Sequence, residues 1–244
     1  MHTETTDLNH AIQITEDIFW VGFYDEKADL HCNPYILNDQ DDVVFFDPGS
    51  IPHFPIVMRK VIELVNPENI TVIVIHHQDP DVCGNLAIVE DLTNNPDLRI
   101  FTHKENIRLV NHLGLNTDLL GVDANNNQVT LKSGRVLEFI PSPFLHSPFA
   151  IVTYDHQSKT LFSSDIFGAE SENWNLFASG DFISPMKKWH ETTMPSQRHL
   201  RAFLEVIEKR EINWILPQHG SVLDHKQSFE AIKFLKQLKC GIDL

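Results

Sequence analysis

The most constraining stretch of the chain is Thr71-Val72-Ile73-Val74-Ile75, followed directly by His76-His77-Gln78-Asp79-Pro80-Asp81. Five apolar or β-branched residues predict a strand buried on both faces. Two imidazoles and two carboxylates follow at its carboxyl end. If the backbone stays extended, His77, Asp79 and Asp81 alternate and send their side chains to one side. Pro80 disfavours helix at Asp79, which supports that path. Cys83-Gly84-Asn85 then leads into an apolar run, Leu86 to Leu92, that reads as a helix. Three ligand-type side chains on one turn resemble half of a metal site, and a complete one requires further ligands elsewhere in the chain.

The flanking sequence repeats one plan twice. Ile18 to Tyr24 reads as a strand, and Pro34–Leu37 with Val43–Phe46 as a hairpin closed by Asp47-Pro48-Gly49. A helix is expected over 55–64 and the opening strand follows. A second helix (84–92), a strand (99–102) and a helix (103–113) complete the first half. In the second half, hairpins are expected at 129–140 and 150–162, the latter closed by Ser163-Ser164-Asp165. A long irregular stretch (166–194), a helix (196–209), a strand (212–216), the loop Pro217-Gln218-His219-Gly220 and a last helix (225–238) follow. In order, Asp47 and His77 correspond to Asp165 and His219, a weak internal repeat. Two such halves predict an α/β (α+β) sandwich of two mixed sheets between helical layers, in a single domain over 1–244.

Six residues then become candidates for a metal centre: His77, Asp79, Asp81, His146, Asp165 and His219. His146 sits in a loop stiffened by Pro141, Pro143 and Pro148. Three imidazoles and three carboxylates suffice for two ions if one carboxylate bridges. A single loop His or Asp is ordinarily a solvated or capping residue; all six fall after expected strand ends. The net charge of −15 argues against nucleic acid and anionic membranes as partners. No apolar run approaches the roughly 20 residues of a membrane helix. The polar start, Met1 to His10, is unlike a signal peptide, and three dispersed cysteines, Cys32, Cys83 and Cys240, suit a reducing cytoplasm.

These motifs resemble the metallo-β-lactamase superfamily. Its hydrolases carry HxHxDH after a strand, where this chain has His77-Gln78-Asp79-Pro80-Asp81-Val82. A carboxylate in place of the second histidine is similar to the flavodiiron branch. Leu161-Phe162-Ser163-Ser164-Asp165-Ile166-Phe167-Gly168 is similar to that branch's bridging-aspartate segment. Pro143-Phe144-Leu145-His146 and Leu216-Pro217-Gln218-His219-Gly220 resemble its other histidine loops. The resemblance implies a four-layer αββα sandwich. It assigns one iron to His77, Asp79 and His146, a bridging role to Asp165, and the second iron to Asp81 and His219. Val82 departs from it, standing where many members place a further histidine. Its replacement could be water, His76 (which should face away from His77), His31 or Tyr24.

Three carboxylates among the ligands favour iron over zinc, which is the alternative. Two Fe²⁺ against three carboxylates leave one positive charge, which a bridging hydroxide neutralises. Phe144, Phe149, Phe162 and Phe167 flank the ligands and would make an apolar shell, though for each of them ordinary core packing is the stronger reading. Only 25 residues follow His219, too few for the FMN-binding flavodoxin domain of flavodiiron reductases, so no FMN is expected. The resemblance to stand-alone members then implies a cytoplasmic, homodimeric O₂ (or NO) sensor coupled to a chemoreceptor. The alternatives are an O₂ or NO reductase fed by a separate flavoprotein or rubredoxin, and, less favoured, a metal-dependent hydrolase. The segment Glu170 to Met194, with Trp174, Phe177, Phe182 and Trp189, could be a lid or a dimer contact.

Overall fold

A computed structural model of the chain describes residues 7–25, 27–170 and 174–244. The first part of the polar N-terminus and a short piece of the segment 170–194 lie outside the described residues. The first half contains β1 (Ile12–Gln13), β2 (Ile18–Trp20), β3 (Phe23–Asp25), β4 (Leu30–Cys32), β5 (Tyr35–Asp39), β6 (Asp42–Phe46), α1 (Phe54–Leu64), β7 (Ile70–Val74), α2 (Pro80–Cys83), α3 (Leu86–Thr93), β8 (Arg99–Thr102), α4 (Lys104–Val110) and β9 (Leu119–Gly121). The second contains β10 (Gln128–Thr130), β11 (Val136–Pro141), β12 (Ile151–Asp155), β13 (Thr160–Ser164), α5 (Ile183–Thr193), α6 (Gln197–Ile207), β14 (Trp214–Pro217), β15 (Leu223–Asp224) and α7 (His225–Leu235).

Alternation along the strands builds four layers. Val44, Phe46, Val72 and Val74 from one sheet meet Leu137, Phe139, Phe162 and Leu216 from the other in a shared core. Phe46 and Phe162 stack across it with ring centroids 3.9 Å apart. The opposite faces are covered by helices. Phe45, Ile73 and Ile75 pack with Val57, Val61 and Leu86 from α1 and α3. Val152, Leu161 and Ile215 pack with Leu200, Leu204 and Leu235 from α6 and α7. Burial on both faces is why β7 reads as an unbroken apolar run rather than an alternating one. This is the metallo-β-lactamase-like αββα sandwich.

The sheets run β1-β2-β5-β6-β7-β8-β9 and β10-β11-β12-β13-β14-β15, with β3-β4 a separate ribbon. In each, an antiparallel hairpin (β5-β6; β12-β13) is followed, after a helical crossover, by a parallel neighbour (β7; β14). Both halves thus place the carboxyl ends of two parallel strands side by side. The repeat is offset by one residue from the order read in the sequence. Both hairpin strands exit through left-handed backbone, at Asp47 (φ 47°) and Ser164 (φ 52°). Structurally, Ser164 is therefore the counterpart of Asp47, and Asp165 lies one position beyond.

Other sequence expectations needed correction. The strand over 18–24 is two strands, because the chain bends at Gly22, where a Cβ would lie 2.3 Å from the Cys32 carbonyl oxygen. The irregular stretch 166–194 contains α5, whose signal was faint: only Met186 and His190 are buried along it. Pro185, in its first turn, lacks an N–H that would be unpaired there anyway.

At the end of the sandwich opposite those carboxyl ends, Arg135 ties the sheets together. Its fully buried guanidinium pairs with Asp155 of β12, with Asp17, and with Asp39 of β5 at 3.5 Å. The bond from Nε to Asp155 Oδ1 is 2.9 Å. Burial raises the Asp155 carboxyl, but Arg135 and Ser158 outweigh it and hold it below the usual range. Breaking such a pair leaves buried carboxylates uncompensated. Arg135→Met should therefore lower the unfolding free energy by about 3–5 kcal/mol, read from chemical denaturation; a change under about 1 kcal/mol would show the cluster to be ordinary surface pairing.

Candidate metal centre

The carboxyl ends of β7, β13 and β14 meet at one edge of the sandwich. Backbone bonds draw their loops together, one between the sheets and one within the second sheet. The Ile151 N–H donates to His76 O at 3.0 Å, and the Gln218 N–H to Ser164 O at 2.7 Å. Ser147 Oγ donates to Gln78 Oε1 at 2.7 Å, which ties the proline-bounded loop to the one after β7.

All six candidate side chains arrive at this edge. Asp165, 1% exposed, stands at the centre. Its Oδ2 lies 2.6 Å from His146 Nε2 and 3.5 Å from His77 Nε2. Its Oδ1 faces the other way, 3.6 Å from His219 Nε2. Asp79 Oδ2 is 3.6 Å from His77 Nε2 and 3.3 Å from His146 Nε2. Asp81 Oδ2 is 3.3 Å from His219 Nε2. The result is two groups with Asp165 between them.

The route to this arrangement is not the one expected. Asp79 is extended (ψ 147°), but Pro80 starts the short helix α2 instead of prolonging the strand. Its fixed φ suits the first helical position. Asp81 therefore reaches the cluster from a helical turn, not by strand alternation. His76 does point away from His77, as alternation requires. Its Nδ1 donates to Asp47 Oδ2 at 2.5 Å and its Nε2 lies 2.9 Å from Thr153 Oγ1. Asp47 is thereby a strut for this loop and not a member of the cluster. Val82 is fully buried in the apolar core beneath the first sheet, so its position offers nothing to the cluster.

Second partners aim the imidazoles. His219 Nδ1 donates to the His31 carbonyl at 2.7 Å, leaving Nε2 for the cluster. His77 Nδ1 lies 3.1 Å from Ser164 Oγ. From α5, Trp189 Nε1 donates to Asp165 O at 3.0 Å, and its ring lies 5.0 Å from that of His219. His190 Nε2 accepts the Phe167 N–H at 3.1 Å, and its Nδ1 donates to Met186 O. Burial pushes His190 down to about 4, so it stays neutral in this role. Within segment 170–194, Trp189 and His190 thus pack against the site. Sequence alone names Ser164 and Trp189 without these roles and does not single out His190, since contacts between elements remote in the chain leave no local pattern. Of the four phenylalanines, Phe162 and Phe167 are core residues, whereas Phe144 is 47% exposed.

The ionisation pattern is one of mutual compensation. Burial raises the Asp165 carboxyl, yet His77, His146 and His219 hold it well below the carboxylate range. Burial lowers His77, yet Asp165 and Asp79 bring it up to about 9. His219 is likewise raised against its burial, by Asp81 first. The hydrogen bond to Asp165 raises His146.

Donor atoms of His77, Asp79 and His146 lie within 4.8 Å of one another, as do those of Cys32, Asp81 and His219. Two ligands each roughly 2.0–2.3 Å from a shared ion are at most about 4.6 Å apart. Asp165 Oδ1 is buried and accepts no hydrogen bond among the described residues. An open lone pair on a buried carboxylate is costly unless a cation meets it. The donor set of imidazole, carboxylate and thiol therefore fits a pair of divalent ions.

No helix among the described residues is long and apolar enough to cross a membrane. A putatively named diflavin flavoprotein of Thermosynechococcus vestitus is 30% identical over 69% of this chain, which covers 30% of that protein. The chain spans 30%, 56% and 60% of the first three curated relatives it matches. Among solved structures, the apo state of the chemotaxis sensor ODP from T. denticola superimposes with a TM-score of 0.81 at 25% identity, over 96% of this chain and 95% of that one. A peroxy diiron species of chemotaxis sensor ODP gives the same TM-score at 24% identity, covering 96% and 97%. A family model described as "ODP family beta lactamase" matches residues 30–220. With the αββα fold and the clustered imidazoles and carboxylates, that match over most of its length makes this chain a member of the ODP family of β-lactamase-like proteins.

Proposed function

We propose that this protein is a non-haem di-iron O₂ sensor. His77, Asp79 and His146 hold one iron, Asp81 and His219 the other, and Asp165 bridges them. The observation that carries the reading is the orientation of Asp165, whose two oxygens face different imidazoles on opposite sides of a buried carboxylate. Two irons bound there supply the electrons and the open coordination positions that O₂ requires. The chain's own groups do the rest. Ser164 and the His31 carbonyl fix the ring orientations of His77 and His219. The carboxylates keep the site electron-rich, which favours the ferric state. The likeness of the whole chain to a chemotaxis sensor supports sensing over turnover. A homodimer, a chemoreceptor partner and a cytoplasmic setting belong to the same proposal; zinc with hydrolysis, or O₂ or NO reduction with a separate flavoprotein or rubredoxin donor, are its competitors.

Elemental analysis of the purified protein should find two irons per chain, and admitting air to the reduced protein should produce a persistent coloured state. Two zincs with ester hydrolysis would sink the proposal, and rapid multiple turnover with a surrogate reductant would replace sensing by reduction. Asp165→Asn removes the shared anionic donor, so iron stoichiometry should fall to one or below; unchanged stoichiometry would reject the bridge.

Metal and protons compete for the same imidazoles. Asp165 and Asp79 bring His77 up to about 9, so affinity for Fe²⁺ or Zn²⁺ should climb as pH rises toward 9 and then level off. In the metal-free protein the sign is opposite for stability. A folded-state pKa above the unfolded one gives stabilisation that is complete below about 6.5 and lost as pH rises through 9. The Asp81 and Asp165 carboxyls, held against their burial below the usual range by the neighbouring imidazoles, contribute no slope there. The unfolding midpoint of the apo form should accordingly drop between neutral pH and pH above 9, while the loaded form holds steady. A flat apo profile would contradict the compensation described for His77.

A further inference from the structure

We propose that Cys32 binds the second metal ion as a thiolate, beside Asp81 and His219. The inference rests on the two-metal reading of the cluster and completes it. By donor count the two sides are unequal: His77, Asp79, His146 and Asp165 serve the first ion, but Asp81, His219 and Asp165 alone serve the second. Val82 cannot make up the difference, because its side chain is committed to the core. Cys32 can. Its Sγ lies within 4.8 Å of ligand atoms on both Asp81 and His219, and the residue is 4% exposed.

The fold holds Cys32 there through a dedicated set of bonds. Cys32 ends β4 of the ribbon, opposite Phe23. Its neighbours on both sides are stitched to the His219 loop. His31 O accepts from His219 Nδ1 at 2.7 Å, and the Asn33 N–H donates to Gln218 O at 2.8 Å. Asn33 Nδ2 also donates to Pro217 O at 3.0 Å and to Gly220 O at 2.8 Å. Trp20 Nε1 fixes the Asn33 amide from behind, at 2.9 Å. Because successive strand residues face opposite sides, the buried His31 ring is directed away from Cys32, stacking on Tyr24 at 4.4 Å and on Trp174 at 3.9 Å, and Cys32 is the one turned to the cluster. The other two cysteines have no such place: Cys83 Sγ donates to the Gln78 and Asp79 carbonyls, and Cys240 is buried under the second sheet's helices.

An independent feature points to the same spot. Asp165 Oδ1, the oxygen on the second side, is the one that accepts no hydrogen bond among the described residues. Charge balance agrees. Three carboxylates and one thiolate neutralise two divalent ions without a hydroxide. A thiolate is also the softest and most electron-donating ligand in the set, which biases the second iron toward its oxidised state relative to an all-N/O site.

Anaerobic titration with Co²⁺ tests this without relying on activity. The wild-type protein should bind two equivalents, and the second should bring up an intense near-ultraviolet sulfur-to-cobalt charge-transfer band. Cys32→Ser should abolish the band and weaken the second equivalent roughly tenfold or more, leaving the first unchanged. The C83A/C240A variant, with Cys32 as its sole thiol, should keep the band, which preserves the test if Cys32→Ser fails to fold. Two bound equivalents without a sulfur band, or a band that survives in Cys32→Ser, would overturn the thiolate ligand while leaving the two-metal reading intact. Uptake of neither cobalt nor iron would overturn both.

Discussion

A carboxylate with almost no solvent contact, Asp165, sits among three imidazoles that come from three different loops and both sheets. An isolated buried anion is expensive, and so is a set of crowded cationic rings. Each makes the other tolerable. That dependence makes the junction of the two sheets a polar one at this edge, although the layers behind it are joined by stacked phenylalanines. The same logic operates at the far edge, where Arg135 gathers carboxylates from both sheets. The sandwich is thus apolar in the middle and ionically closed at both ends.

What separates the two ends is pre-organisation around replaceable charge. Arg135 cannot be deprotonated, so its cluster is permanent. The imidazoles can lose their protons to a metal, and their ring orientations are fixed by groups that do not change in the exchange. His31 O, Ser164, Trp189 and the neutral His190 hold the loops whether the positive charge is a proton or an ion. Left-handed backbone at Asp47, Phe144, Ser164 and Phe167 shows the loops bent into sparsely populated conformations around this point. The surrounding packing over-determines those bends, as expected where geometry matters more than local comfort.

Much of this was legible in the chain. Apolar runs bounded by Gly, Pro and Asp located β5, β6, β7, β12 and β13, because strands buried on both faces carry a continuous hydrophobic signal. The six cluster residues were legible because ligand chemistry needs particular side chains, and these followed strand ends in order. Less legible was the local path. Pro80 is compatible with an extended chain and with a helix start, and only the packing of α2 against the first sheet chose the latter. Helix α5 buries too few residues to leave a period. Cys32 was not legible as a donor, since residue type points to His31 and Tyr24, whereas strand facing decides which side chain meets the cluster.

The amino-acid sequence by itself determined the layered architecture and the identity of six side chains at its edge, since both are written in hydrophobic periodicity and residue chemistry. Only the tertiary structure decided that Asp165 presents its two oxygens to opposite sides, that Asp47 serves His76 instead of the cluster, and that a cysteine 187 positions from His219 completes the second group. Those outcomes depend on hydrogen bonds between loops remote in the chain, and no local pattern encodes the direction in which a remote loop will be held.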